Sequence, residues 1–474
     1  MEKWLEIIHR MVWGPWTLVL FLGTGAWFTL RSGIFQIRGF PVWWSSTAGS
    51  MWKQDKKAQR RSGCSQFQSA CTALAATIGT GNIVGVATAL TAGGPGALFW
   101  MWLSAGIGMM TAYAETWLGQ VYRYRRDDGH WMCGPMIYME HGLGVPVLGN
   151  LYAFLVVMAS LGMGSMVQAN SMSETIRSHS VRFSENGASV SAVLIGVAAV
   201  LLTGTVIRGG IARISRVSEY LVPISAGIYL IFSAAVIVSC WNVLPEIAAS
   251  VFRGAWTPSA AGGGAVGFFL SRSVRYGLSR GVFSNEAGLG TLAVLHGAAE
   301  DTTPERQGMW AMFEVFFDTI VICTLTAFVI LCISCREQPP AGADGAALTA
   351  WCFSRKLGGF GEILVSGAMI VFAFATIIAW YYLGRQAAEY LLERATDGQN
   401  REKIGIRFYT VLYLAAVFTG CISRLEIVWL ISDIWNGLMV YPNLLALWFL
   451  ASEVKIPLDI WFKTEYTGNG NKGE

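Results

Sequence analysis

The chain has 474 residues, of which 54% are hydrophobic and only 14% are charged, and its mean hydropathy is +0.47. Soluble domains carry roughly 25% charged residues, so this composition excludes a soluble enzyme, a disordered chain and a nucleic-acid binder. The net charge of +4 requires no acidic partner. The nine cysteines lie mostly in apolar stretches, which favours buried core residues over a disulfide framework. Cys332 and Cys335 lie one helical turn apart at a membrane edge and leave a metal site as a minor alternative.

Eleven segments are candidates to cross a bilayer, for which a helix needs roughly 20 apolar residues. They are 12–31, 66–90, 95–122, 148–173, 190–207, 217–239, 262–300, 308–334, 360–384, 405–422 and 427–450. A signal peptide is the alternative for the first segment, because Lys3 and Arg10 precede its apolar run. Arg31 ends that run without a clear small-residue cleavage site, which favours a retained helix.

The distribution of Lys and Arg predicts the orientation of the chain in the membrane. With the N-terminus outside, the loops on the cytoplasmic side hold 21 of these residues and the outer loops hold 9. The excess of positive charge inside therefore predicts an outer N-terminus and a cytoplasmic C-terminus. The predicted organisation is an extra N-terminal transmembrane helix (1–31), a cytoplasmic interfacial segment rich in tryptophan and basic residues (32–65), two five-helix halves (66–240 and 262–450) and a cytoplasmic tail (451–474).

The second candidate segment is interrupted at mid-membrane by the glycine-rich run ATIGTGNIVG, residues 76–85. Each glycine costs a helix about 1 kcal/mol relative to alanine. Unpaired peptide groups are tolerated inside a membrane only where they face protein or water. The run therefore predicts unwound backbone beside a polar site, and a close glycine-mediated helix crossing is the alternative.

The seventh segment contains a polar stretch, residues 271–288, between two apolar runs. This pattern predicts two half-helices separated by a polar break. Ser284 or Asn285 is then expected to cap the second half, with Glu286 in its first turn, where a carboxylate favours the helix dipole. A role for Glu286 in gating or coupling is the alternative to simple capping.

The two interruptions fall at corresponding places, because each half of five spans begins with a broken one. Five is an odd number, so the second half begins on the opposite side of the membrane and has inverted topology. Paired broken helices in inverted repeats indicate a secondary transporter with a site at the membrane midplane. A channel has no need of this pairing. An intramembrane hydrolase is disfavoured, because no HExxH motif occurs and His296 is the one histidine in a predicted span.

Several long motifs resemble the alanine/glycine:cation symporter family. They are GTGNIVGVA at 79–87, GGPGALFWMW at 93–102, GVFSNEAGLG at 281–290, FEVFFDT at 313–319 and AFATIIAWYY at 373–382. The resemblance covers nearly the whole chain. It implies an all-α polytopic membrane protein with a LeuT-type fold, a five-plus-five inverted repeat and one extra N-terminal helix. It also implies sodium- or proton-coupled uptake of small neutral amino acids such as alanine and glycine across the cytoplasmic membrane, without enzymatic activity.

The predicted substrate site lies at the first broken helix. A zwitterionic amino acid presents a carboxylate, which suits free backbone N–H groups and a half-helix N-terminus. The residues expected to supply such groups are Gly79, Thr80, Gly81 and Asn82. Gln168 is the side-chain amide expected to bind the ammonium, with a helix–helix hydrogen bond as the alternative. Trp380 is expected to wall the pocket and limit side-chain size, with ordinary packing as the alternative.

Sodium is the coupling ion that the resemblance implies, and it prefers oxygen ligands from unwound backbone and hydroxyl groups. The resemblance places these oxygens on the carbonyl groups of Ala75, Ile78 and Ala373 and on the hydroxyl group of Thr376. The next residue, Ile377, offers no second hydroxyl, which leaves a water ligand or weaker binding open. A threonine that only bonds back to its own helix is the alternative for Thr376.

Acidic residues within predicted spans keep proton coupling open as an alternative, because such residues are costly in lipid and are functional candidates. They are Glu115, Glu286, Glu314 and Asp318. Glu314 and Asp318 lie four residues apart on one helical face. Structural ion pairs with the arginines at 272, 275 and 280 are equally compatible with the pattern. Serine and glutamine are the alternative substrates.

Overall fold

The computed structural model describes residues 2–51, 64–180, 187–256, 272–340, 342–395, 399–423 and 425–456. These residues are mostly helical. A short antiparallel hairpin joins strands β1 (Tyr124–Arg125) and β2 (Trp131–Met132). The basic run at 53–61, the apolar run at 266–270 and most of the C-terminal tail lie outside the described residues.

The N-terminal region forms one long helical arm followed by short helices. Its helices are α1 (Glu2–Val12), α2 (Pro15–Arg31), α3 (Phe35–Arg38), α4 (Phe40–Ser46) and α5 (Ala48–Met51). Proline at the first position of α2 is favourable, because that position needs no N–H donor. The buried Trp43 ring of α4 meets the Phe316 ring edge-on, with 5.6 Å between centroids. The short helices are thereby anchored to the helical bundle.

After this arm, the described residues in the first half of the chain form eight α-helices. They are α6 (Gln66–Thr77), α7 (Val84–Gly93), α8 (Ala97–Tyr122), α9 (Pro135–Ile137), α10 (Pro146–Ala159), α11 (Gln168–Ser180), α12 (Gly187–Ile207) and α13 (Gly210–Val238). Short 3-10 or π turns follow or join them at Thr80–Asn82, Tyr138–Gly142, Ser160–Val167 and Trp241–Val243. A capping box defines the start of α6, since Ser65 Oγ accepts the Gln68 N–H and Gln68 Oε1 accepts the Ser65 N–H, both at 3.1 Å.

The described residues in the rest of the chain form nine further helices. They are α14 (Leu244–Ala255), α15 (Arg272–Asn285), α16 (Thr291–Gly297), α17 (Pro304–Val315), α18 (Thr324–Ser334), α19 (Gly345–Leu357), α20 (Gly359–Ala395), α21 (Gln399–Ile422) and α22 (Leu425–Phe449). A π turn at Phe316–Cys323 joins α17 to α18. Helix α8 packs against α2, α15, α16 and α17, and 19 of its 26 residues are buried. The core of the bundle therefore surrounds α8.

Seven helical stretches among the described residues are long and apolar enough to cross a membrane. They are Trp4–Arg31, Ala97–Tyr122, Pro146–Arg177, Gly210–Val238, Pro304–Ser334, Gly359–Ala395 and Asn400–Ile422. An eighth candidate is the pair Gln66–Thr77 and Thr80–Gly93, bent by 58° at its break, and Ser191–Ile207 is a shorter apolar helix. The predicted count of eleven spans and the inverted repeat stay predictions.

The second broken helix differs from its sequence prediction. Most of the polar stretch 271–288 is itself helical, as Arg272–Asn285. The break lies later, at residues 286–290, and the next half-helix is Thr291–Gly297 with Gly290 as its N-cap. Only the last three residues of the predicted polar break, 286–288, therefore belong to the observed one, and the second half-helix begins later than expected.

The predicted caps of this half-helix are also wrong. Ser284 and Asn285 belong to the end of α15, and Glu286 lies in the connecting link with φ +56° rather than in a first turn. The reason is packing against α8. A Cβ on Gly277 would lie 2.4 Å from the Ala97 carbonyl oxygen, so glycine allows two helices to approach closely. Close helix packing of this kind stabilises a helix whose sequence is polar.

All nine cysteines are free, and eight of them are buried, in agreement with the predicted core role. Cys335, just beyond the end of α18, is the exposed one. Its Sγ donates a hydrogen bond to the carbonyl oxygen of Cys332. Within the described ranges, no group of three or more His, Cys, Asp or Glu side chains could hold a metal ion.

Candidate functional site

The first break is a short unwound link between α6 and α7. The Gly79 N–H donates to Asn82 Oδ1 at 3.0 Å, so the asparagine side chain closes the turn. The Thr80 N–H donates to Gln168 Oε1 over a long 3.4 Å. Thr80 and Gln168 are buried, and Thr80 Oγ1 has no hydrogen-bond partner among the described residues. The break therefore presents backbone donors and a hydroxyl group to the inside of the bundle.

Gly79 is the point at which the predicted substrate and sodium residues meet. A Cβ built on Gly79 would lie 2.8 Å from Thr376 Oγ1 and 3.4 Å from Gln168 Oε1. The absence of a side chain thus allows a hydroxyl group of α20 and an amide group of α11 to come close to the backbone of the break. Any side chain at this position would displace one of these groups.

The four predicted sodium ligands are all buried. Thr376 Oγ1 lies 2.9 Å from the Ala75 carbonyl oxygen and 3.0 Å from the Phe372 carbonyl oxygen. The first contact joins two predicted ligands across α6 and α20, while the second is a bond back to its own helix. Ile78 is the C-cap of α6, and Ala373 lies one turn before Thr376. Thr376 therefore contacts another predicted ligand and also bonds back to its own helix, so its role as a sodium ligand stays a prediction.

Gln168 follows directly after a π-helical stretch, Ser160–Val167. Its Nε2 donates to the Met163 carbonyl oxygen within that stretch at 3.3 Å. π-helical turns are rare and occur frequently at functional sites, because the wider turn changes the direction of the following side chains. The π turn orients the Gln168 amide so that its Oε1 faces the first break.

Trp380 connects the π turn on one side with the second break on the other. Its Nε1–H donates to Glu286 Oε1 at 3.0 Å. A Cβ on Gly164 would lie 2.4 Å from Trp380 Cβ, so the tryptophan packs directly on that glycine. Trp380 is fully buried on α20 and lies between the π turn at Ser160–Val167 and the second break.

The second break is held by contacts from three other parts of the chain. Gly288 and Gly290 have φ of +84° and +80°. The Leu289 carbonyl oxygen accepts the Tyr152 hydroxyl at 2.6 Å. The Gly288 carbonyl oxygen accepts Asn443 Nδ2 at 3.0 Å, and the same amide nitrogen donates to Glu115 Oε1 at 2.6 Å. Glu115 therefore acts on this break through the amide of α22.

Asp318 links the two broken helices, a role that the sequence pattern did not indicate. Its carboxylate accepts Asn82 Nδ2 at 2.6 Å, the Ser284 hydroxyl at 2.7 Å and the Thr319 hydroxyl at 2.8 Å. Gly81 lies at the same junction, because a Cβ there would be 3.4 Å from the Ser284 backbone. All of these residues are buried. The presence of one intramembrane acid together with polar residues at both interruptions is the sequence signal from which this role could have been inferred.

The expected pairing of the intramembrane acids with arginines is wrong for the part of the chain that the structure describes. Glu314 faces His296, at 2.9 Å, and Asp318 accepts neutral donors. Arg280 instead lies 3.4 Å from Asp433. The physical reason is that the side chains point in different directions. Arg280 is only partly buried and lines a neighbouring cavity, whereas the two acids face the bundle core.

Two cavities approach the candidate site from different parts of the bundle. One, of about 290 Å³, is lined by residues that include His9, Arg280, Phe283 and Asp433. The other, of about 240 Å³, is lined by residues that include Tyr381, Arg385 and Glu389. Phe283 of the first cavity precedes Ser284, and Tyr381 of the second follows Trp380. None of the predicted site residues lines either cavity, so the site is closed from both.

Comparisons with known proteins agree with this architecture. The sequence profile described as the sodium:alanine symporter family matches residues 1–473. The sodium/alanine symporter AgcS of Methanococcus maripaludis is 37% identical over 456 residues, which cover 95% of each chain. The probable sodium/glutamine symporter GlnT of Bacillus subtilis is 32% identical, with 99% of this chain and 92% of that one covered.

A solved structure supports the fold. The crystal structure of MhsT in complex with L-phenylalanine matches with a TM-score of 0.57 and 12% identity, over 80% of this chain and 89% of that chain. At this identity the match shows the fold alone. Because MhsT has a LeuT fold, the LeuT-type architecture expected from the sequence is confirmed.

Proposed function

The chain belongs to the sodium:alanine symporter family, and we propose that it couples the uptake of a small neutral amino acid to the inward movement of sodium. It is an integral multi-pass membrane protein, and its family transports amino acids. Alanine and glycine are the substrates that we propose. Transport, not catalysis, is the activity that membership of this family implies.

The observation that carries the proposal is the convergence of polar groups at the first break. Backbone N–H groups, the Thr80 hydroxyl and the Gln168 amide converge at Gly79, and all of them are buried. A substrate carboxylate suits the N–H groups, and the Gln168 Oε1 can accept a hydrogen bond from a substrate ammonium. The 3.4 Å contact between Thr80 N–H and Gln168 Oε1 is long enough for a substrate to displace it at little cost.

The contacts of Thr376 support a sodium site beside the substrate. A hard cation prefers oxygen ligands, and the Thr376 hydroxyl already faces the Ala75 carbonyl oxygen at 2.9 Å. Rotation of the hydroxyl proton would direct an oxygen lone pair from Thr376 toward an ion held by both groups. The carbonyl groups of Ile78 and Ala373 complete the proposed ligand set.

The size of the substrate is limited in this proposal by Trp380. The tryptophan packs on Gly164 and is held by Glu286, so its ring has little freedom to move aside. A small side chain such as the methyl group of alanine then fits better than a long one. Glutamine is the second candidate, because a relative with 32% identity is named as a probable sodium/glutamine symporter.

The orientation that we propose has the N-terminus outside and the C-terminus in the cytoplasm. Its support is the excess of 21 over 9 Lys and Arg residues on the cytoplasmic side. A reporter fused to the C-terminus should be active only inside the cell. Activity only on the outer side would contradict the proposed topology.

Uptake into proteoliposomes tests the function. Purified protein with an inward sodium gradient should concentrate labelled alanine above the outside level, whereas a channel would only equilibrate it. Competition by each of the twenty amino acids then identifies the substrate range. An equal potassium gradient serves as the control. Accumulation that a proton gradient alone drives equally well would reject sodium coupling.

A further inference from the structure

A buried histidine and a buried glutamate face each other where α16 meets α17. His296 Nε2 lies 2.9 Å from Glu314 Oε1, and neither side chain is accessible to solvent. Neither residue belongs to the proposed substrate or sodium site. The pair is thus a buried titratable cluster that the proposed transport of sodium and amino acid does not use.

Gln307 determines which nitrogen of the imidazole carries a proton. Its Oε1 lies 2.7 Å from His296 Nδ1. Its Nε2 donates to Thr302 Oγ1 at 3.1 Å. The Thr302 hydroxyl proton is directed to the Thr303 carbonyl oxygen at 3.4 Å, so Thr302 Oγ1 accepts from the amide nitrogen and the amide oxygen is the atom that faces His296. His296 Nδ1 is therefore a donor. A neutral imidazole with a proton on Nδ1 has only a lone pair on Nε2.

The contact between His296 and Glu314 then requires one further proton. An unprotonated Nε2 and an ionised carboxylate would present only lone pairs to each other at 2.9 Å. One proton on either atom turns this repulsion into a hydrogen bond, and the proton belongs to the pair rather than to one residue. We propose that His296 and Glu314 form a proton-binding site, which is loaded in this conformation and loses its proton to water when α16 and α17 separate during transport.

The surroundings of the pair favour a bound proton. Neither carboxylate oxygen of Glu314, nor His296 Nε2, has a hydrogen-bond partner of regular geometry among the described residues, and a buried ionised carboxylate that lacks partners is costly. Three titratable groups interact electrostatically with Glu314: Asp318 on the same helix, Glu286 in the second break and Cys71 on α6. Glu219 on α13 in turn interacts with Cys71. Each of these groups is neutral or negative, so none repels the proton.

The remaining neighbours of the His296–Glu314 pair are uncharged or direct their charge at backbone carbonyl oxygens. Helix α8 contributes the Gln120 amide, which donates to the His296 carbonyl oxygen at 2.5 Å. Arg123, just beyond α8, donates to the carbonyl oxygens of Gly297 and Ala299 and satisfies its charge on the end of α16. Helix α4, which also packs on α17, has no titratable side chain. No described cation therefore replaces the proton between the two side chains.

The position of the pair connects it to both broken helices. α16 is the half-helix after the second break, and Ser69 of α6 donates to its Leu295 carbonyl oxygen at 2.9 Å. Glu314 lies one turn before Asp318, whose carboxylate binds Asn82 of the first break. Movement of either broken helix would therefore change the distance between His296 and Glu314.

Proton titration of the purified full-length protein tests the site without relying on transport. Wild-type protein should bind one more proton than Glu314→Gln between about pH 5 and pH 9, a range around the ordinary titration of histidine. The amide of the variant can donate to His296 Nε2 without titrating. Glu246→Gln, at an exposed position on α14, serves as the control. In this pH range it should bind as many protons as the wild-type protein. Equal titration of wild type and Glu314→Gln would overturn the proposal.

Two substitutions of Gln307 give opposite shifts that a merely structural role would not produce. Gln307→Glu places a carboxylate against Nδ1–H and should move the midpoint of the extra proton up by roughly one pH unit or more. Gln307→Leu frees the imidazole to place its proton on Nε2 and donate to ionised Glu314, so the midpoint should move down. Shifts in the same direction, or none in folded protein, would reject the site. If Glu314→Gln does not fold, His296→Gln takes its place in the titration.

Discussion

The two broken helices of this bundle differ in how the polar groups at their unwound backbone find hydrogen-bond partners. The first break, at residues 78–83, is lined by hydroxyl and amide groups, and Thr80 Oγ1 there has no partner among the described residues. In the second break, at 286–290, two carbonyl groups accept side chains from α10 and α22 at 2.6 and 3.0 Å. The first break leaves the Thr80 hydroxyl available, whereas the second binds two of its backbone carbonyl groups within the protein and leaves only the Glu286 Oε2 atom of its side chain without a partner among the described residues.

This difference assigns different tasks to the two breaks. A binding site needs donors and acceptors that a ligand can satisfy, whereas a hinge or support needs them satisfied permanently. Two carboxylates support the second break in this way. Glu115 accepts a hydrogen bond from Asn443, and Glu286 accepts one from Trp380. Substitutions at the second break should therefore reduce stability, and those at the first should reduce affinity.

Gly290→Ala should have the largest effect, a loss of folded protein. Gly290 has φ +80°, which costs other residues about 1–3 kcal/mol. Its Cβ would also lie 2.3 Å from Pro135, and overpacking adds about 1–3 kcal/mol. Thermal unfolding and yield of monodisperse protein measure the effect. Gly227→Ala, where a Cβ would meet no atom within 4 Å, is the control and should retain wild-type yield.

Glu115→Leu should destabilise the second break by about 1–3 kcal/mol, because the Asn443 amide loses an acceptor in a buried place. Glu115→Gln keeps an oxygen at that position and should recover most of the loss. The melting temperatures of both variants in detergent measure this. A leucine variant as stable as wild type would show that the carboxylate does not support the break.

Thr376→Val should test the first break with a smaller effect on stability. The substitution keeps the shape of the side chain and removes the oxygen that faces Ala75. We expect the sodium dependence of alanine uptake to shift to about tenfold higher concentration, which corresponds to about 1.4 kcal/mol. Linkage requires that substrate affinity at fixed sodium falls as well, and high sodium should partly restore uptake.

Thr376→Ser is the matched control for that measurement, because it retains the hydroxyl group. Its sodium curve should stay near that of wild type. An unchanged sodium curve for correctly inserted Thr376→Val would contradict a ligand role for the hydroxyl.

Thr80→Val should have the smallest effect, a loss of substrate affinity of about two- to fivefold. The hydroxyl has no partner among the described residues, so its removal should leave stability unchanged. Thr77→Val is the control, since that hydroxyl bonds back to the Ala73 and Leu74 carbonyl oxygens of its own helix. Half-saturation constants for alanine compare the two. Equal constants in both variants would place the substrate elsewhere.

The first break could be predicted from the sequence because its signal is local. Two glycines around Thr80, followed by Asn82, contain both the cause of unwinding and the side chain that closes the turn. The second break could not be placed in the same way. Its polar stretch is helical because Gly277 lets α15 pack on α8, and this contact joins residues about 180 positions apart in the chain.

The partners of the acidic side chains were also beyond the sequence pattern. Helical spacing correctly put Glu314 and Asp318 on one helix, but it did not show what each faces. Glu314 meets His296, and Asp318 meets side chains from both broken helices. Such contacts depend on how the helices turn about their axes. The π turn at 316–323 begins between the two acids and contains Asp318, so it changes the direction of Asp318 relative to Glu314.

The burial of the cysteines makes the unaltered chain suitable for chemical labelling. Eight thiols are inaccessible and Cys335 alone is exposed, so a maleimide dye should attach at one position without removal of any other cysteine. Cys335 lies between α18 and α19, in a loop that the proposed topology places outside the cell. A membrane-impermeant dye on intact cells would then report the sidedness of this loop, and the same dye would follow its surroundings while the carrier works.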